Sequence, residues 1–123
     1  IAVVDWDQDG DQDLWISNRN APRIRFLRND GKTSGGVLAL RLLGNGTTSN
    51  RDAIGARVEV YSSGFEGKSC VETLRAGEGF LAQSSKWLHL GLGPVSMIDR
   101  VVVKWPGGEP EEFTGLSING RYE

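Results

Sequence analysis

Apolar and polar residues alternate along much of the chain in a way that predicts β-strands. The clearest case is the segment 56–61, where Ala56, Val58 and Val60 alternate with two charged residues and a tyrosine. Successive side chains of a strand point to opposite faces, so the three apolar side chains would face a core and the others would face solvent. A half-exposed strand is predicted here.

Other short segments are β-branched, aromatic or alternating, and they end at glycine, proline or polar turn residues. The segment 37–43 is apolar at nearly every position, which predicts a strand buried on both faces. Val71 and Leu74 lie three positions apart, which breaks alternation and predicts a β-bulge. No segment has a convincing helical period, so the predicted fold class is all-β. Besides 56–61, we predict strands at 1–4, 14–17, 23–28, 37–43, 69–74, 87–93, 98–105, 111–114 and within 116–122.

Polar, glycine-containing connections divide the chain. Asn29-Asp30-Gly31 has the composition of a hairpin turn, because Asp-Gly suits positive φ angles. The stretch Lys32–Gly36 is polar and glycine-rich, and it is the predicted boundary between two units. The first unit would span residues 1–33 and the second residues 36–123.

Aspartates occupy alternate positions between the first two predicted strands, in the sequence Asp5-Trp-Asp-Gln-Asp-Gly-Asp-Gln-Asp13. Hard cations such as Ca²⁺ take about six to eight oxygen ligands, and side chains at alternate loop positions can surround one ion. Gly10 permits the sharp turn that such a loop needs. The predicted Ca²⁺ ligands are Asp5, Asp7, Asp9, Asp11 through its carbonyl, and Asp13.

This loop differs from an EF-hand, since Ile16 stands where an EF-hand has its bidentate glutamate and strands replace the flanking helices. The alternative interpretation is an acidic surface turn that binds nothing. However, two unit charges about 5 Å apart repel by roughly 3 kcal/mol at an effective dielectric of about 20. A bound cation relieves that repulsion, so the pattern favours a calcium loop between two strands.

Composition excludes some partners. The chain has 123 residues and a net charge of −2, with no basic stripe to neutralise nucleic-acid phosphates. No apolar run reaches the length of about eighteen residues that a membrane span needs. Because the sequence opens on Ile1 inside a predicted strand, we expect it to be a piece of a longer protein. Asn45-Gly-Thr47 matches a glycosylation sequon, a short pattern that matters only in a eukaryotic secretory context.

Few residues could support catalysis. Cys70 is the only cysteine and His89 the only histidine. We predict that Cys70 is a small apolar strand residue and that His89 is hydrogen-bonded on the face of its strand opposite the leucines. Ser84 and Ser85 are the only candidates to pair with this histidine as nucleophiles, and serines before a strand are common turn residues. We therefore predict that the protein is not an enzyme.

Four motifs of the second unit occur in order and at suitable spacing: Asn50-Arg-Asp-Ala-Ile-Gly-Ala-Arg-Val58, Gly77-Glu-Gly-Phe80, Leu88-His-Leu-Gly-Leu-Gly93 and Val103-Lys-Trp-Pro-Gly-Gly108. Together they resemble the ASPIC/UnbV domain, found in cartilage acidic protein and in bacterial surface proteins, over roughly residues 38–115. Residues 1–30 resemble the last FG-GAP or VCBS-type repeat, whose D-x-D-x-D-G-x-x-D loop binds calcium in a β-propeller blade.

The resemblance implies a β-sandwich-like domain preceded by a partial propeller blade. Its core would combine the leucines of 88–92 with the apolar face of 101–105. Arg51 and Asp52 would form an ion pair beside the next strand, worth under about 1 kcal/mol if exposed. A propeller needs about four or more blades, so the remainder of the propeller, in a longer parent chain, is an expected partner.

The metal loop, the all-β architecture and the lack of a catalytic constellation predict a non-enzymatic, calcium-binding module for adhesion or ligand contact. Its location would be extracellular, on the cell surface or periplasmic, and its ligand a protein or a carbohydrate. A sugar-binding face could use Trp15, Trp87 or Trp105, although burial in a core is the commoner role of tryptophan. The alternative is an accessory or catalytic domain of a secondary-metabolite enzyme, since some relatives lie in natural-product gene clusters.

Overall fold

The computed structural model describes residues 1–31 and 35–123. Within them the chain forms ten β-strands, one 3₁₀ turn at Ser63–Phe65 and no α-helix, which confirms the all-β prediction. The strands are β1 Ala2–Val4, β2 Asp13–Ser17, β3 Ile24–Leu27, β4 Gly36–Arg41, β5 Arg57–Tyr61, β6 Ser69–Thr73, β7 Trp87–Gly93, β8 Arg100–Lys104, β9 Glu111–Phe113 and β10 Gly120–Tyr122. The predicted boundary at Lys32–Gly36 falls mostly outside the described residues.

The first three strands form an antiparallel sheet in the order β1-β2-β3. The hairpin turn predicted at Asn29–Gly31 is wrong, because β3 pairs with β2 and with no later strand of the described part of the chain. The Asn29 side chain instead accepts the N–H of Gly31 at 3.1 Å, and the Asn29 N–H donates to Asp13 Oδ1 at 2.8 Å. These bonds turn the chain but do not pair it with a following strand.

A second sheet has the order β10-β4-β7, with β4 at its centre. The pairing of β4 with β7 is antiparallel and shifts register between Gly36 and Val37, whereas β10 pairs with β4 in parallel. The described end of the chain thus lies beside the first strand of the second unit. Asn119 secures this return, because its side-chain oxygen accepts the Val37 N–H at 3.0 Å and its own N–H donates to the Val37 carbonyl at 2.7 Å.

A third sheet has the order β6-β5-β8-β9, and all its pairings are antiparallel. The bulge predicted near Val71 is wrong, because β5 and β6 pair in unbroken register. The three-residue spacing instead places the two side chains on opposite faces of the strand. Leu74, just beyond the strand, follows the alternation of Cys70 and packs in the core, whereas Val71 pairs with Glu59 on the other face and stays exposed.

One hydrophobic core joins the second and third sheets. Leucines come from the second sheet and valines from the third, as the alternation of apolar residues predicted. Trp105 and Tyr122 pack against this core from its periphery. The buried strand residues of the core are Leu38, Leu40, Leu88, Leu90, Leu92, Val58, Val60, Val101 and Val103. The two sheets therefore face each other across a shared core, in agreement with the sandwich-like arrangement predicted.

Glu59 departs from the predicted pattern. It alternates with the core valines and was expected to face solvent, yet its side chain is only 9% exposed. Lys104 Nζ donates to Glu59 Oε1 at 2.7 Å and the Tyr61 hydroxyl donates to Oε2 at 2.8 Å. Arg57 Nε adds a third bond, at 2.9 Å to Oε1. The outer face of this sheet therefore carries a satisfied polar cluster that covers the carboxylate.

Asp52 does not pair with its sequence neighbour. The Arg51–Asp52 ion pair expected from the sequence is replaced by pairs of Asp52 with Arg41 and with Lys86. Arg41 ends β4, so Asp52 links the loop to the second sheet rather than to its own segment. The Lys86 ammonium, together with Arg41, lowers the pKa of the Asp52 carboxyl below its ordinary value.

Candidate metal centre

The loop between β1 and β2 brings three carboxylates together. One oxygen from each of Asp5, Asp7 and Asp9 lies within 4.8 Å of the others. The residues alternate in sequence, so they converge only because the backbone folds back between them. Two residues of the loop adopt positive φ angles, Gln8 at 61° and Gly10 at 98°. Gly10 was expected to permit this turn, and its φ is one that L-residues rarely adopt.

Asp5 is the most buried of the three carboxylates. Its side chain is 3% exposed, and Arg121 Nη1 donates to its Oδ2 at 3.1 Å. Its other oxygen, Oδ1, is buried and has no hydrogen-bond partner among the described residues. A buried carboxylate oxygen without a partner is costly, and a bound cation would satisfy it. Asp5 thus fits a metal ligand better than it fits a surface turn.

Asp13 holds the loop closed. It is fully buried. Its Oδ2 accepts the N–H of Trp6 at 2.9 Å and its Oδ1 accepts the N–H of Asn29 at 2.8 Å. Both oxygens therefore bond to the backbone, one near the start of the acidic stretch and one in the segment that follows β3. The geometry favours Asp13 as the residue that fixes the loop, and its role as a direct ligand stays a prediction.

Asp11 lies beside the cluster. Its N–H donates to Asp9 Oδ1 at 3.1 Å, while its own Oδ1 is buried without a partner among the described residues. Burial raises the pKa of the Asp11 carboxyl, and the neighbouring carboxylates of Asp9, Asp13 and Asp7 raise it further. This repulsion is the electrostatic cost that the sequence predicted for the loop.

Arg121 is the functional contact that the sequence analysis missed. It lies on β10, 116 positions from Asp5, and its guanidinium stacks 3.8 Å from the centre of the Trp87 ring. Across the second sheet, Arg121 is opposite Ala39, which in turn is opposite His89. This row lies on the face away from the leucine core, and Asp5 contacts it through Arg121. No local pattern could have indicated the contact, because it depends on the parallel pairing of β10 with β4.

A cleft of about 440 Å³ lies between the acidic loop and the second sheet. Asp5, Asp9 and Asp11 of the loop line it together with Asn119 and Arg121 of the sheet side. Within it the Arg121 guanidinium bonds directly to Asp5, so carboxylates and a guanidinium share one lining.

His89 lacks the hydrogen bond that the sequence analysis predicted. It occupies the predicted face, but both ring nitrogens are buried without a partner among the described residues. Burial lowers the pKa of its imidazole, Asp5 acts in the opposite direction, and Arg121 lowers it again. The prediction is wrong because the neighbour on its own sheet, Ala39, offers no polar side chain.

Ser84 and Ser85 contact the first strand. The Ser84 hydroxyl oxygen accepts the Val3 N–H at 3.2 Å, and the Ser85 N–H donates to the Val3 carbonyl at 3.0 Å. The Ser85 hydroxyl oxygen accepts the N–H of Trp87 at 3.2 Å. Within the described residues neither hydroxyl bonds to His89, so the two serines connect the first sheet to the second unit.

The three tryptophans considered for sugar binding each have different neighbours. Trp15 packs on Phe26 with ring centres 4.8 Å apart, Trp87 carries Arg121 on its face, and Trp105 packs against the core. A further tryptophan, Trp6, meets Trp15 edge to face at 5.4 Å. Trp6 itself is largely exposed.

Fold and site together define an all-β protein in which two sheets enclose a core and a third sheet carries an acidic loop. The family model described as ASPIC and UnbV matches residues 46–123. The chain belongs to this family, as the four motifs predicted, and the matched region begins later and ends later than the segment 38–115. No curated protein matches the chain. The described residues contain no helix long and apolar enough to cross a membrane.

Proposed function

We propose that this protein is a calcium-binding module without catalytic activity, and that it contacts a protein or carbohydrate ligand outside the cell. The observation that carries the proposal is the convergence of oxygens from Asp5, Asp7 and Asp9 within 4.8 Å. Oxygen ligands alone suit Ca²⁺ or Mg²⁺, and irregular loops suit the flexible coordination of Ca²⁺ better than the strict octahedron of Mg²⁺.

Each residue of the loop would have a defined part in holding the ion. Asp5, Asp7 and Asp9 would supply carboxylate oxygens and Asp11 its carbonyl. Asp13 would hold the loop closed through the Trp6 and Asn29 N–H groups, and direct ligation by Asp13 remains part of the proposal. The ion would supply positive charge and fixed coordination, while the protein supplies the folded loop.

The proposed role of the ion is structural. Extracellular calcium modules commonly have Kd values of about 10⁻⁴–10⁻³ M. At about millimolar Ca²⁺, mass action then stabilises the folded state by roughly 0.5–1.5 kcal/mol. That energy is small for a whole domain but large for one loop. The ion would therefore order residues 5–13 and the strands β1 and β2 beside them.

The first sheet would belong to a larger assembly. We propose that residues 1–33 are the end of an FG-GAP or VCBS-type repeat and that residues 36–123 form the ASPIC/UnbV domain. The exposed side chains of Ile24 and Leu27 on β3 support further packing of this sheet. The proposed partner there is the rest of a propeller in the parent chain. An extracellular, cell-surface or periplasmic location is proposed with it, since millimolar calcium occurs there.

The absence of catalysis is also part of the proposal. Its support is that Ser84 and Ser85 use their hydroxyl oxygens to accept backbone N–H groups. Burial and Glu72 raise the pKa of the Cys70 thiol, which leaves it a poor nucleophile. A role as an accessory or catalytic domain of a secondary-metabolite enzyme is the alternative, and no contact described here favours it.

The test compares thermal unfolding in EDTA, in about millimolar Ca²⁺ and in the same concentration of Mg²⁺. We expect Ca²⁺ to raise the Tm by about 2–6 °C and Mg²⁺ to have a smaller effect. Asp7→Asn should abolish the Ca²⁺ effect, because it removes an exposed ligand that accepts no backbone N–H group from the described part of the chain.

Asp30→Asn is the matched control. Asp30 is also an exposed carboxylate that pairs with Arg28, as Asp7 does, yet it is outside the cluster. It should keep the full Ca²⁺ shift. An unchanged shift in Asp7→Asn, or no shift in the unaltered protein, would overturn the proposed site.

A further inference from the structure

One carboxylate is shared between a fixed guanidinium and the candidate cation site. Arg121 Nη1 donates to Asp5 Oδ2 at 3.1 Å, while Asp5 Oδ1 is buried and has no hydrogen-bond partner among the described residues. One oxygen of Asp5 is therefore bonded to a positively charged guanidinium, and its other oxygen is left without a hydrogen bond.

Arg121 is held by contacts that do not involve the loop. Its guanidinium stacks on Trp87, 3.8 Å from the ring centre, and its backbone pairs with β4 opposite Ala39. Such stacking holds the cation over the ring face and is stronger when the cation is desolvated. The side chain is 33% exposed, so two-thirds of it is covered. The position of this charge is thus set by the second unit.

We propose that Arg121 is a built-in counter-cation of the acidic loop, which stabilises the loop without calcium and lowers its calcium affinity. This inference rests on the calcium site proposed above. Without an ion, the aspartates repel one another, and Arg121 offsets part of that repulsion at Asp5. With an ion bound at Asp5 Oδ1, two cations would share one carboxylate and so would be closer together than the Debye length of about 8 Å at physiological salt. They therefore repel each other with incomplete screening.

The same coupling acts in the opposite direction. Linkage requires that if Arg121 weakens calcium binding, calcium weakens the Arg121–Asp5 contact by the same factor. That ion pair joins the acidic loop to the second sheet, beside the contacts of Val3 with Ser84 and Ser85. Calcium concentration would thus regulate how firmly the loop is attached to the ASPIC/UnbV domain.

Arg121 also orients the Asp5 carboxylate, and orientation alone would favour calcium binding. When the Arg121 charge is removed, loss of repulsion would raise the calcium affinity, whereas loss of orientation would lower it. Arg121→Gln keeps hydrogen-bond donors near Asp5 but loses the charge. Arg121→Lys keeps the charge and loses the planar guanidinium.

The experiment measures the Ca²⁺ Kd by calorimetry and the Tm in EDTA for both variants. Arg121→Gln should bind Ca²⁺ about three- to tenfold more tightly and should melt at a lower temperature in EDTA. Arg121→Lys should keep a Kd within about twofold of the unaltered protein. Arg100→Gln is the matched control, since Arg100 also stacks on an aromatic ring, Tyr61, and pairs with a carboxylate, Glu112. It is not in contact with the loop and should leave the Kd unchanged.

Unchanged or weaker calcium binding by Arg121→Gln would overturn the inference while leaving the calcium site intact. No binding by the unaltered protein would overturn the proposed function and the inference together. If Arg121→Gln does not fold, the Nε–Hε NMR signal of Arg121 in the unaltered protein provides the same test. Calcium should shift and broaden this signal as the Asp5 contact weakens, and a signal unaffected by saturating calcium would overturn the inference.

Discussion

Asp13 accepts the backbone N–H of Asn29 at 2.8 Å, which ties the start of β2 to the segment that follows β3. The other oxygen of the same carboxylate accepts the N–H of Trp6, so one buried side chain at the end of the acidic loop also binds the start of that loop. This role requires no metal. Asp13 and Asp7 belong to one sequence motif, yet they should respond differently to substitution.

Asp13→Ala should destabilise the protein by about 2–4 kcal/mol in EDTA as well as in calcium, because two N–H groups lose a charged acceptor. Chemical denaturation under both conditions measures the loss. Asp7→Asn is the comparison and should leave stability in EDTA unchanged or slightly raised, since it removes one repelling charge. Equal behaviour of the two variants would contradict the division of roles between them.

Glu59 should make the stability of the protein depend on pH in the acid range. Hydrogen bonds from Lys104, Tyr61 and Arg57 lower its pKa from an ordinary value of 4.5 to about 2. Because the folded pKa is the lower one, its stabilising contribution is complete above pH 4.5 and is lost as the pH falls toward 2.

Glu59→Gln should therefore cost about 1–3 kcal/mol at neutral pH, and the difference from the unaltered protein should shrink between pH 4.5 and 2. Urea denaturation at a series of pH values in EDTA measures this difference. Glu112→Gln, at an exposed ion pair with Arg100, is the control and should change stability by less than about 1 kcal/mol at every pH. A Glu59→Gln cost that does not vary with pH would show that the carboxylate charge is not what stabilises the sheet.

Two apolar residues, Leu38 and Phe80, should differ sharply in their effect on stability. Leu38 is fully buried at the centre of the second sheet, whereas Phe80 is 89% exposed although it lies in a motif that identified the family. Leu38→Ala should cost about 2–5 kcal/mol because it leaves a cavity. Phe80→Ala should stay within about 0.5 kcal/mol. Thermal unfolding measures both, and a large cost at Phe80 would mean that its ring is covered in solution.

The sequence predicted best those features that depend on neighbouring positions. Alternation placed Val58 and Val60 in the core, and the spacing of aspartates placed three of them in one loop. The family motifs also identified the family whose model matches residues 46–123. These features follow from the period of a strand and the geometry of a tight loop, so local residue order is sufficient.

Features that depend on which strands meet were not predictable. Glu59 is covered because Lys104 lies on the adjacent strand, and Asp52 pairs with Arg41 because β4 passes near its loop. Each pairing joins residues that are distant in sequence, and charge alone does not select between several arginines and lysines. Asn29 likewise carried a hairpin signal, but its hydrogen bonds to Gly31 and Asp13 gave a turn without strand pairing.

The parallel pairing of β10 with β4 has a consequence for biosynthesis. A ribosome completes β4 about eighty residues before it reaches β10, so the nascent chain exposes one edge of the second sheet throughout that interval. Arg121 emerges with the same strand, and until then Asp5 lacks its guanidinium partner. The chain therefore attains the contact between its acidic loop and its sheet only after translation has passed Arg121.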